Sequence, residues 1–279
     1  MDTKTVGLCE SVMEECEPRL ADGKSFPGLV ELAYWGAKNI IGVGECLKAL
    51  GSEMPRERKD EYYGQALSSH HRRALAYWKS IAYFHEVNYL NAVESRDSES
   101  EIERLQEVRR ISKVKLLRLE EHFPELGGGL IFEPTETLLD PFREMLKIYP
   151  KGRKQDDKVD VQFAELVYWS AENTIAVSLC LDAAIGNFPQ GVRDKLYDEA
   201  FKSHGGRALA YWEAVHYFNL QSYAELSNRS VSQAVIDEQF RRVQMSHRKM
   251  AKATARYDGY HSEEVVDRQL LDAHINGGS

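Results

Sequence analysis

Uninterrupted apolar runs are missing from this chain of 279 residues. No stretch approaches the roughly 18 apolar residues that a membrane-spanning helix needs, so none is expected. The first residues, Met1-Asp-Thr-Lys-Thr5, lack the apolar segment of a secretion signal. Cysteine is scarce as well. Cys9, Cys16, Cys46 and Cys180 form neither a Cys-x-x-Cys pair nor a Cys/His zinc spacing, so they are read as buried, reduced thiols of a cytoplasmic protein. Asn228-Arg229-Ser230 matches a glycosylation sequon but, without a secretion signal, is read as chance. Positive charge is not in excess. The formal net charge of −8 argues against a global nucleic-acid binder, which needs a basic footprint for phosphates. Nucleophile elbow, phosphate-binding loop, His-Glu-x-x-His and dinucleotide fingerprint are all missing. Gly42-Val-Gly44 falls within a helical pattern rather than at a phosphate-binding turn, and the doubled Glu-x-x-His set of a di-iron bundle does not occur. No metal or cofactor is therefore expected, and a non-enzymatic protein is the primary expectation. Alternating strand patterns are absent too, which leaves an all-α chain.

What the chain does have is a repeat. Arg73-Ala-Leu-Ala-Tyr-Trp78 returns letter for letter as Arg207-Ala-Leu-Ala-Tyr-Trp212, a shift of 134 positions. The same shift carries Glu31, Tyr34, Trp35 and Asn39 onto Glu165, Tyr168, Trp169 and Asn173. It also carries Cys46, Pro55, Tyr63 and His70 onto Cys180, Pro189, Tyr197 and His204. No gap is needed from about residue 28 to 92. Internal similarity at a fixed period marks duplicated architecture. The chain reads as a tandem duplication of a four-helix unit, with one short and three long helices per repeat, forming a bundle or a short solenoid. The first repeat spans 1–126, a linker 127–136, and the second repeat with a C-terminal tail 137–279.

Periodicity places the helices. Leu8, Val12 and Cys16 share a face over residues 5–17, with Pro18 expected to end that helix. Leu32, Trp35, Asn39, Val43 and Cys46 form the stripe of a helix over 27–50. Tyr63, Ala66, His70, Arg73, Tyr77, Ile81, Phe84 and Asn88 step by three or four along a helix from about 55 to 94, with a bend allowed near Ser68-Ser69. Ser98 followed by Glu101 is a capping-box signature for a helix over 98–122. The second copy is expected at 138–149, 160–185, 189–227 and 231–257, with a further short helix over 263–273.

Three constellations could carry chemistry. Asn39, His70 and Arg73, with Glu31, and their counterparts Asn173, His204, Arg207 and Glu165, place polar groups on apolar stripes. Buried polar groups must be paired, and Glu31 or Glu165 is the carboxylate expected to pair with the arginine. The set is either a network fixing the helix crossing or a duplicated pocket for an anionic ligand. The Tyr-Trp and Tyr-Phe pairs are either core or an aromatic box; core is the simpler reading. Arg109, Arg110 and Lys113, with Arg241, Arg242 and Arg248 in the second half, form basic helix faces. They are suited to an acidic partner segment or to weak contact with an anionic membrane surface.

The Ala-Tyr-Trp-x-x-x-x-Tyr-Phe pattern at 76–84 and 210–218 resembles the first helix of a tetratricopeptide-type hairpin. Glu103-Arg-Leu105 and Ala253-Thr-Ala-Arg-Tyr-Asp258 are loosely similar to the helical core of Alix-type BRO adaptor domains. The resemblance covers the helical hairpins only. It implies a scaffold that binds a peptide or protein partner in a groove between long helices. A small-anion binder or enzyme using the Arg/His/Asn/Glu pocket is the alternative, and a structural homo-oligomer is a third reading.

Overall fold

Spacings of three and four between apolar residues become helices wherever a neighbour covers the stripe. In the computed structural model, which describes residues 3–21, 28–121, 136–151, 158–186, 188–229 and 231–258, this happens eight times. The helices are α1 (Thr3–Ala21), α2 (Gly28–Ala49), α3 (Arg56–Ser95), α4 (Glu99–Glu120), α5 (Asp140–Ile148), α6 (Lys158–Ile185), α7 (Gln190–Ser227) and α8 (Gln233–Asp258). A 3₁₀ turn, Glu136–Leu139, leads into α5. There is no strand among the described residues.

Local chemistry accounts for most boundaries. The Ser98 side chain accepts from the Glu101 amide at 3.3 Å, capping α4. Pro55 and Pro189 stand immediately before α3 and α7, where the missing N–H removes no helical bond. One boundary departs from expectation: α1 runs through Pro18 to Ala21. The proline sits close to the helix end, and Cys9, Val12 and Cys16 are buried along the same face, so packing carries the last turn past the lost bond. The serines at the expected bend of α3 do not interrupt it. Ser69 Oγ donates back to the carbonyl of Gln65 at 2.8 Å, and α3 stays continuous over 40 residues. The helix expected over 263–273 lies outside the described residues, as does most of the linker.

Four helices form the centre. α2 pairs with α3 and α6 with α7, and α2 and α6 also pack against each other. α1 covers α2, α5 covers α6, α4 lies on α3 and α8 on α7. Gly42 lets α2 and α3 close up: a Cβ there would stand 3.1 Å from the Ala66 backbone. The buried apolar side chains form one continuous cluster drawn from both halves of the chain.

Between the antiparallel α3 and α7 stands a ladder of stacked rings. Tyr63 faces Phe218 (6.2 Å, 15°) and His70 faces Tyr211 (3.7 Å, 17°). Tyr77 faces His204 (3.8 Å, 10°) and Phe84 faces Tyr197 (6.1 Å, 13°). Each step of seven residues along α3 is matched by a step of seven back along α7, the register of an antiparallel coiled coil with rings in place of aliphatic knobs. Ring pairs in such geometry contribute about 0.5–1.5 kcal/mol each beyond the area they bury.

Candidate functional site

The polar residues of the central stripes meet at the middle of the ladder, and they meet across the halves. Arg73, on α3, donates to Asn173 Oδ1 on α6 at 2.9 Å and to the Ser170 carbonyl at 3.2 Å. Arg207, on α7, donates to His70 Nδ1 at 2.8 Å and to Asn39 Oδ1 on α2 at 3.4 Å. Each asparagine meanwhile ties its own hairpin. Asn39 Nδ2 donates to the Ala66 carbonyl (2.9 Å) and Ser69 Oγ (3.2 Å); Asn173 Nδ2 does the same to Ala200 (3.0 Å) and Ser203 (3.1 Å). Asn39, Asn173, Arg73 and Arg207 have no solvent exposure, and His70 is buried. His204 is half-buried and stacks on Tyr77.

The expected arginine–carboxylate pairing is overturned. Among the described residues every hydrogen-bond partner of Arg73 and Arg207 is neutral. Glu31 pairs instead with Lys79, 3.2 Å away and slightly more buried. The cause is register. In the α2–α3 hairpin Gly36 faces Arg73, with Arg73 Nε 3.2 Å from where a Gly36 Cβ would stand. Glu31 lies five residues earlier, about 7.5 Å along the axis, and so comes level with Lys79. Glu165 is exposed on α6, and the position matching Lys79 is Glu213, so that ion pair is not repeated. Burial, and then the charge of Arg207, hold both His70 and Arg73 well below their ordinary pKa values. His70 is thus a neutral acceptor at Nδ1. Nε of both arginines and the Tyr211 hydroxyl have no hydrogen-bond partner among the described residues. The arrangement ties α2, α3, α6 and α7 together through two arginines and two asparagines that have no solvent exposure.

The aromatic set is core in part: Tyr34, Phe84 and Phe218 are buried, whereas Trp35, Tyr83, Trp169 and Tyr217 are half-buried and pack at the margin of the core, and Tyr168 is half-buried. Tyr77, Tyr211, Trp78 and Trp212 are buried. Lys115 of α4 lies 4.3 Å over the Trp78 ring and Lys249 of α8 5.9 Å over Trp212. The four thiols are buried and free, with burial pushing that of Cys9 up to about 12.

The basic helix faces are largely neutralised from within. Arg109 makes a two-pronged contact with Glu86 (2.7 and 2.8 Å), which Lys113 also reaches. Arg110 pairs with Glu107, Arg241 with Glu238, and Arg242 with Asp60 on α3 at 2.5 Å. Arg248 donates to the Gln244 carbonyl.

Sequence reasoning missed two corners where the start of one long helix meets the end of the other. At one corner Lys59 of α3 is paired with Glu225 of α7 at 2.8 Å, and Glu225 also accepts the Gly51 amide at 3.0 Å. This corner is nearly filled, with a cavity of about 40 Å³. At the other, the end of α3 and the α6–α7 turn enclose a cleft of about 420 Å³ lined by Asn91, Ser95, Phe188, Gln190 and Arg193. The signal was available in the repeat: the same shift carries Lys59 onto Arg193 but Asn91 onto Glu225, so the cation is kept and the carboxylate is not.

Among the described residues no group of three or more His, Cys, Asp or Glu side chains could hold a metal ion, and no helix is long and apolar enough to cross a membrane. Comparison with models of protein families, with curated proteins and with solved structures finds no match.

Proposed function

We propose that the chain is a non-enzymatic helical scaffold that binds a peptide or protein partner where its long helices meet, at the α3–α6–α7 corner. The observation that carries this reading is the cleft beside Arg193 together with its apolar rim. Ile185 is 53 % exposed and Phe188 44 % exposed, side by side at the mouth. Large apolar side chains left in water beside a concave, polar-lined surface are a usual feature of interaction sites. The buried arginine layer supports the reading from the other side: it ties the four central helices together, and its arginines and asparagines have no solvent exposure. Rigid elements that need no reordering lose less entropy on association.

The test is retention of a partner from native lysate on the immobilised full chain, with Phe188→Asp and Ile185→Asp as comparisons. A partner kept by the wild-type chain and lost on both variants, with unchanged thermal midpoints, is the expected outcome. Equal retention by the variants overturns this placement of the binding surface.

A further inference from the structure

We propose that the cleft beside Arg193 is a carboxylate-binding site, which receives from a partner peptide the group that the opposite corner supplies from within the chain. The proposal rests on the scaffold reading for the source of the peptide, but its geometry stands apart from it.

The filled corner shows what such a corner holds. There the cation of Lys59 meets the Glu225 carboxylate, whose second oxygen takes a backbone amide. In the open corner the cation is Arg193, only 8 % exposed. One of its terminal nitrogens donates to the Gly186 carbonyl at 3.1 Å, while Nε has no partner among the described residues. Among the described residues no carboxylate stands within ion-pair distance of this guanidinium; such a group, withdrawn from water, favours an incoming anion, and its planar fork matches a carboxylate. Asn91 stands where the carboxylate would, and its amide is turned to the Ala184 carbonyl at 3.3 Å. The cleft of about 420 Å³ is lined by Asn91 and Arg193, the residues that the sequence shift matches to Glu225 and Lys59.

Two further features select the ligand. The first turn of α7 opens at Gln190, after Pro189, which offers no side-chain cap. The Val192 and Arg193 amides donate to the Pro189 carbonyl, and the positive end of this 38-residue helix lies at the Gln190 side of the cleft, where it favours an anion. Glu94 and Asp97 also line the cleft. They disfavour a dianion such as phosphate and leave a singly charged carboxylate as the better fit. Ile185 and Phe188 at the mouth add apolar contact, so the ligand is an Asp- or Glu-bearing peptide with a bulky apolar neighbour.

The experiment uses isotope-labelled full-length chain and follows the Arg193 Nε–H and Gly191 amide resonances. The probes are N-acetyl-Leu-Asp-Phe-amide, the neutral analogue with Asn in place of Asp, and inorganic phosphate. The acidic peptide should give saturable shifts at both resonances, with the neutral analogue and phosphate each at least about tenfold weaker. Arg193→Gln should remove binding. Asn91→Glu, which places inside the cleft the carboxylate that Glu225 provides at the other corner, should also remove it and leave the helical signal intact. No shift, equal binding of the neutral analogue, phosphate binding as tight as the peptide, or an Asn91→Glu variant that binds as before would each overturn the proposal. If the peptide binds here while partner retention ignores Phe188→Asp, the scaffold placement fails and the carboxylate site stands. If retention depends on Phe188 but not on Arg193, the reverse holds.

Discussion

Arg73 and Arg207 are held at the centre of the bundle by oxygen and nitrogen dipoles rather than by opposite charge. Losing one partner of a buried ion pair typically costs about 3–5 kcal/mol, because the other charge is stranded. No charge is stranded here. Arg73→Met should therefore cost less, about 1–2 kcal/mol for the acceptors left unsatisfied on Asn173 and Ser170. The two guanidinium groups also repel, the charge of Arg207 helping to hold Arg73 well below its ordinary pKa. The double variant Arg73→Met/Arg207→Met should then cost more than the sum of the singles in urea unfolding, because each single variant already relieves the same repulsion. Strict additivity would show that the arginines do not sense each other. The histidines give a second test. Burial lowers His70 well below its usual range and holds His85 at about 3. The unfolded chain takes up these protons near pH 6.5 while the folded chain does not. Stability should thus be level above pH 6.5 and fall below it, by about 1.4 kcal/mol per pH unit for each histidine. Burial raises the Glu31 carboxyl in the folded chain, and proton uptake there opposes the fall, so the net slope is shallower than the histidines alone would give. Urea midpoints measured from pH 7.5 to 5 check this, and a flat profile would place both rings in contact with water.

The helices meet at two kinds of glycine, and these should respond in opposite directions to the same substitution. Gly42 lies against the Ala66 backbone at 3.1 Å, so Gly42→Ala forces α2 and α3 apart and should cost about 1–3 kcal/mol. Gly64, in α3, has nothing within 4 Å of an added Cβ, and Gly64→Ala should stabilise by about 0.5–1 kcal/mol through helix propensity alone. Thermal melts of the two variants give the comparison; shifts of the same sign would refute the close approach of the hairpin. At this scale much was legible in the sequence. The stripe through Tyr63, His70, Arg73, Tyr77 and Phe84 identified α3 and its buried face, and Ser98 identified the start of α4. Which stripes face each other was not legible, because periodicity fixes a helix face and leaves the neighbour open. Tyr63, His70, Tyr77 and Phe84 recur every seven residues, a seam that only a partner helix in antiparallel register turns into a ladder. The Arg73–Glu31 expectation failed for the same reason: Arg73 was placed on a buried stripe and Glu31 only near it in sequence, and their register along the hairpin sets them about one and a half turns apart. Pro18 was misread because helix propensity is local, whereas the burial of Cys9, Val12 and Cys16 is not.

At the scale of the whole molecule the two halves are not independent bodies, since each completes the other's centre. Arg73 of the first half is satisfied by Asn173 and Ser170 of the second, and Arg207 of the second by Asn39 and His70 of the first. The four ring stacks all run from α3 to α7, and the apolar cluster is continuous between them. A fragment ending at residue 121 would expose one side of the ladder and leave the Arg73 guanidinium without these acceptors. The complementary fragment starting at residue 136 would do the same to Arg207. Neither could then offset its conformational entropy with the remaining core. Each fragment alone should show helical circular dichroism but no cooperative thermal transition. An equimolar mixture should recover a cooperative melt, because the surfaces that bind across the halves are all side chains already positioned on long helices. A sharp, concentration-independent transition in either fragment alone would show that a half carries its own core. The ladder and the crossed arginines would then be a contact between two finished domains rather than the centre of one.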